Sequence, residues 1–137
     1  MSGLVVCVAV LVLASAFGVL HRRRSGRVRV SGRDEGNRLG AAELGGELGA
    51  RATLVQFSSA FCAPCRATRR VLGEVADMVP GVTHVEIDAE SRLDLVRELG
   101  ILKTPTVLVL DTDGRIVRRA AGLPRKADVI AALGEAV

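Results

Sequence analysis

Thr53-Leu54-Val55-Gln56-Phe57-Ser58-Ser59-Ala60-Phe61-Cys62-Ala63-Pro64-Cys65-Arg66 is the stretch on which the fold turns. Thr53 to Phe57 is rich in β-branched and aromatic side chains, the composition of a strand. Arg66 to Val79 then sets Val71, Leu72, Val75, Ala76 and Val79 at helical spacing, with Arg69, Arg70, Glu74 and Asp77 elsewhere on the surface. Pro80-Gly81 stops that helix. A Cys-x-x-Cys pair thus falls at a strand-to-helix junction. Its sulfurs lie one helical turn apart, close enough to join in a disulfide. The first sits at the helix N-terminus, where unsatisfied N–H groups and the dipole favour a thiolate. Pro64 suits an early helical position, which has no N–H it must donate. Arg66, and less directly Arg69 and Arg70, add positive charge nearby.

Other uses of the pair fit less well. A zinc centre needs four ligands, and the remaining candidates are only Cys7, His21 and His84, so no metal is expected. A purely structural bridge three residues apart closes too small a loop to stabilise much. Redox work is the expectation, with no cofactor beyond the Cys62–Cys65 disulfide itself.

Working outward, Ala41 to Leu48 reads as a short helix interrupted by Gly45-Gly46, and Val82 to Ile87 as a second strand. Leu93, Val96 and Leu99 with the Gly100 stop predict another short helix. Thr106 to Leu110 is a near-continuous apolar run, the mark of a buried strand, and Asp113-Gly114 turns the chain into a last strand through Ala120. Lys126 to Ala136 closes as an amphipathic helix. The order αβαβαββα predicts an α/β domain over 41–137, a mixed central sheet with helices on both faces.

Upstream, Leu4 to Leu20 is apolar except for Ser15 and Gly18. We read 1–3 as a tip and 4–21 as one transmembrane helix, with a collar of Arg22, Arg23, Arg24, Arg27, Arg29 and Arg33 behind it. A cleaved signal peptide lacks its positive n-region here, although Ala14-Ser15-Ala16 resembles a cleavage site. Cys7 reads as an inert small residue of the span. Residues 22–40, rich in Gly, Ser and Arg, read as a basic flexible linker. The arginine asymmetry places the C-terminal domain in the cytoplasm, at the cell membrane, and lets residues 4–29 rest on lipid.

The 137-residue chain carries a net charge of +4, but residues 21–40 hold seven Arg against Asp34 and Glu35, whereas 41–137 hold 12 basic against 13 acidic residues. The charge therefore speaks of topology, and no nucleic-acid partner is expected. The aromatics needed to stack on bases are also missing, since Phe17, Phe57 and Phe61 are the only ones in the chain. An apolar content of 49% excludes disorder throughout.

Over residues 41–136 the chain resembles the thioredoxin family. The resemblance is carried by Leu54-Val55-Gln56-Phe57 running into Phe61-Cys62-Ala63-Pro64-Cys65, by Val85-Glu86-Ile87-Asp88, by Gly100 to Thr106, and by Asp113-Gly114-Arg115 followed by Gly122. It implies a thioredoxin-like fold and a thiol–disulfide oxidoreductase that reduces protein disulfides, supplied with electrons by a reductase. Cys62 and Cys65 take the catalytic positions, and Thr104-Pro105-Thr106 matches the family's cis-proline loop. Phe61, Ala63, Pro64, Thr104, Pro105 and Gly122 would contact the substrate chain, Thr104 through its backbone. The sequence departs from the family at Phe61 and Ser58, both usually Trp, and at Ala63, usually Gly. Gln56 replaces a buried Asp that helps proton transfer at the second cysteine, a role an amide cannot fill. His84 is the candidate to take over as proton relay beside Gln56; the plainer reading is a strand histidine without a role. Two other functions stay open: an extracytoplasmic redox protein for envelope or cytochrome thiols, and a non-enzymatic, redox-sensing binding module.

Overall fold

β-branched and apolar residues concentrate in two strands that end up at the centre of one sheet. The computed structural model describes residues 1–24, 28–29 and 37–137. The element order is α1 (Ser2–Arg24), β1 (Val28–Arg29), α2 (Ala41–Leu44), β2 (Ala52–Ser58), α3 (Ala63–Met78), β3 (Val82–Asp88), α4 (Leu93–Leu99), β4 (Thr106–Leu110), β5 (Ile116–Ala121) and α5 (Lys126–Ala136). The sheet runs β1-β5-β4-β2-β3. β2 and β3 are parallel, and β2–β4, β4–β5 and β1–β5 are antiparallel. This is the expected mixed sheet.

Every residue of β2 and of β4 is buried, as strands covered on both faces must be. Alternation sorts their side chains between two cores. Leu54, Val107 and Val109 join Leu72 and Val75 of α3 and Val129 and Leu133 of α5. Val55, Phe57, Leu108 and Leu110 join Leu44, Leu95, Leu99 and Ile101 on the other face. Asp113-Gly114 makes the expected turn, with Gly114 at φ 82° and both Asp113 and Arg115 N–H groups donating to Asp111 Oδ1. Gly100, in the left-handed region at φ 65°, ends α4.

Two differences from the sequence reading stand out. The first helix of the domain is only Ala41–Leu44, because Gly45 caps it in the left-handed conformation and nothing helical follows. The segment read as a linker engages the domain in part. Val28–Arg29 pair with Ala120 and Arg119 at the sheet edge, Arg38 bridges Arg115, and Leu39 is buried. The linker reading of 25–27 and 30–36 lies outside the described residues. α1 has no buried residue and continues through Arg24, three residues beyond the span assigned from hydropathy. Its 23 residues extend about 35 Å, enough to cross a hydrocarbon core of about 30 Å.

Candidate active site

The site forms where β2 gives way to α3. Cys62 is the N-cap of α3 in extended conformation, and its Sγ accepts the Cys65 N–H at 3.2 Å. It therefore takes a capping place that Ser, Thr or Asp would otherwise fill. Pro64 sits in the first turn, as its missing N–H permits. The helix starts at Ala63, three residues before Arg66, where the sequence pattern begins it. Cys62 and Cys65 are joined in a disulfide with Cα atoms 5.2 Å apart. Cys62 is half-buried, whereas Cys65 is only 1% exposed.

The Thr104–Pro105 bond is cis. Its loop is held from two sides. Ser59 Oγ, just before the motif, lies 2.7 Å from Thr104 Oγ1, and the Gly122 N–H donates to the Pro105 carbonyl at 2.7 Å. Thr106 Oγ1 donates to the Lys103 carbonyl and closes the loop behind the proline. Ala63, Pro64, Thr104, Pro105 and Gly122 then line one groove of about 600 Å³. Phe61 does not line it. At φ 58° the Phe61 backbone turns the side chain wholly into solvent, so it stands beside the approach to Cys62.

Behind the dithiol, Gln56 is fully buried and its amide is satisfied on both sides. Nε2 donates to the Cys65 carbonyl at 2.8 Å and to Ser58 Oγ at 2.9 Å. The Cys65 carbonyl can only accept, which fixes the amide with Oε1 toward His84 Nε2 at 3.0 Å. Oε1 can only accept as well, so His84 Nε2 carries a proton. The donors thus point from His84 to Gln56 to the Cys65 backbone. The chain of bonds meets the carbonyl of Cys65, not its sulfur. Burial holds the His84 imidazole below its ordinary pKa, Glu86 opposes the shift, and Arg69 adds to it. Arg69 in turn grips Glu86 through Nε and an Nη nitrogen, both at 2.7 Å.

Sequence reasoning found the cysteines and the proline loop but missed Ser59 and the basic residues around the groove. Lys103, next to Thr104-Pro105, was visible beside the motif. Arg22, Arg23 and Arg125 also line the groove, and only the folded chain brings them there.

A dithiol at a helix N-terminus, facing a cis-proline on a mixed sheet, defines a protein of thiol–disulfide exchange. Residues 46–135 match the family model described as Thioredoxin. The chain is 32% identical over 77 residues to a thioredoxin of Chlamydia muridarum, covering 56% of this chain and 74% of that protein. It is 31% identical over 85 residues to a thioredoxin of Mycobacterium tuberculosis, covering 61% and 72%. Among solved structures it is similar to chloroplastic thioredoxin z, with a TM-score of 0.56 and 28% identity over 63% of this chain and 78% of that one. A thioredoxin of Nicotiana alata gives a TM-score of 0.56 and 25% identity over 64% and 74%. This chain belongs to the thioredoxin family and is a thioredoxin-type disulfide oxidoreductase.

Proposed function

We propose that the chain is a protein-disulfide reductase tethered to a membrane by α1, with Cys62 as the attacking and Cys65 as the resolving thiol. The observation that carries the assignment of roles is the unequal exposure of the two sulfur-bearing residues at one helix N-terminus. In the reduced protein, the Cys62 thiolate attacks one sulfur of a substrate disulfide. A Cys62–substrate disulfide forms, and the other substrate sulfur leaves as a thiolate and takes a proton. The Cys65 thiolate then attacks Cys62 Sγ, forming the Cys62–Cys65 disulfide and releasing the second substrate thiolate, which is also protonated. Two electrons and two protons pass to the substrate. A dithiol reductant, the reductase partner, must return them. The protein's own disulfide is the redox group and no other cofactor is needed. Ala63, Pro64, Thr104, Pro105 and Gly122 hold the substrate chain along the groove, and Phe61 flanks its approach.

The tether rests on the length and apolarity of α1 and on the arginines that follow it. Their asymmetry favours a cytoplasmic domain with lipid contact through the collar. A reporter fused to the C-terminus and active only outside the cytoplasm would reverse that orientation. The reaction is tested by insulin-disulfide reduction with the full chain, paired with Cys65→Ser capture of partner proteins. We expect reduction by the wild type and partners bound covalently at Cys62. An inactive wild type with no captured partner would overturn the proposal.

A further inference from the structure

We propose that the groove beside the dithiol selects disulfides carried on acidic segments of polypeptide. The inference rests on the exchange reading of Cys62 and Cys65 and names the substrate class for that site. Pro64 and Pro105 belong to the lining of the groove, and Arg22, Arg23, Lys103 and Arg125 bring four cationic side chains to it. Among the described residues that line it there is no Asp or Glu.

This concentration of charge is a local departure, not a sample of the domain's general character. Residues 41–137 carry one more acidic than basic side chain. The cations come from three separate places: the end of α1, the loop before the cis-proline, and Arg125, the N-cap of α5. Ion pairs among the described residues include Arg69–Glu86, Arg92–Asp94, Arg118–Glu135 and Lys126–Glu74. None of them engages Arg22, Arg23 or Arg125. A cleft lined by one sign of charge focuses its field and draws oppositely charged partners into it, while repelling like charge. Arginine pairs with carboxylates through two parallel hydrogen bonds, which adds orientation to attraction.

Arg22 and Arg23 alone would also suit anionic lipid headgroups. Lys103 and Arg125 decide for polypeptide, because they border the same groove as Pro105 and Pro64, where a chain must lie for its disulfide to reach Cys62. Carboxylates flanking that disulfide then meet the cations while the disulfide meets the sulfur.

The test uses the reduced full chain in phosphatidylcholine nanodiscs and three substrates: a peptide disulfide flanked by glutamates, the same peptide flanked by lysines, and uncharged hydroxyethyl disulfide. Single-turnover rates are read at low and high salt. We expect the glutamate peptide to react at least about tenfold faster than the lysine peptide at low salt, where screening is weak. That ratio should shrink to about twofold near 0.5 M salt. Lys103→Ala/Arg125→Ala and Arg22→Ala/Arg23→Ala should each lower the ratio several-fold, after normalising to the uncharged disulfide. Equal peptide rates alongside normal reaction of hydroxyethyl disulfide would overturn the acidic-substrate assignment while leaving the exchange chemistry standing. A preference that depends only on Arg22 and Arg23 and vanishes when phosphatidylserine is added would assign the cations to headgroups and overturn it too. Failure of all three disulfides to react would remove the exchange reading, and this proposal with it.

Discussion

The two sides of the dithiol are built from different materials. In front, Cys62 is half-buried beside an exposed Phe61 and a groove lined by cations. Behind, Cys65 is sealed, its carbonyl held by a buried amide whose other end is held by His84. The front is arranged for encounter, with an accessible sulfur and a field that extends into solvent. The back is arranged for constancy, with neutral groups whose hydrogen bonds reach the resolving cysteine at its carbonyl. A thioredoxin fold can thus keep its dithiol geometry while the polar support behind the second cysteine changes from an acid to an amide.

The largest effect that tests this contrast comes from the sulfurs. Cys62→Ser should abolish disulfide reduction to background, whereas Cys65→Ser should still form a mixed disulfide and stop there, read as a covalent adduct by mass spectrometry. Adduct formation by Cys62→Ser but not by Cys65→Ser would reverse front and back.

Next comes Gln56→Leu. It strands the buried Cys65 carbonyl and the half-buried His84 N–H, so we expect a stability loss of about 1–3 kcal/mol in chemical denaturation. It should also prolong the mixed disulfide, since Cys65 loses the bond that fixes its backbone. Unchanged stability together with unchanged resolution would show that the amide supports nothing.

How much of this was legible in the sequence follows from where each signal lies. The dithiol, Pro64 and the Thr104-Pro105 loop are short runs whose chemistry is local, and the helix and strand order followed apolar spacing. β1 was not legible. Val28–Arg29 sit among Arg, Gly and Ser with no period, and they join the sheet through backbone pairing, which leaves no pattern in side chains. The Gln56–His84 bond depends on β2–β3 register, which sets His84 opposite Leu54 and Glu86 opposite Gln56. Sequence could nominate His84 but not the partner or the direction of its hydrogen bond.

A smaller effect concerns pH. His84 is held below its ordinary value of 6.5 by burial. As pH falls through that value the unfolded chain takes a proton that the folded one resists, so stability present at neutral pH is lost on the acid side. Denaturation midpoints should fall below about pH 6.5 in the wild type, and His84→Gln should flatten that limb. A pH-activity profile of disulfide reduction that keeps its shape in His84→Gln fits a positioning role; a lost acid or base limb would establish the relay.

The smallest change is expected at Arg69→Ala. Its partner Glu86 is on the surface, the Arg69 side chain is 54% exposed, and exposed pairs contribute little after solvent screening. Its stability should match the wild type within error, with His84 titrating at a slightly higher pH once the neighbouring cation is gone.

The most direct measurement is alkylation of the reduced full chain by iodoacetamide at neutral pH, followed over time and mapped by peptide mass spectrometry. The account predicts that Cys62 is modified at least about ten times faster than Cys65, because it is the more exposed and its thiolate is favoured at the helix N-terminus. Equal rates, or faster modification of Cys65, would contradict it.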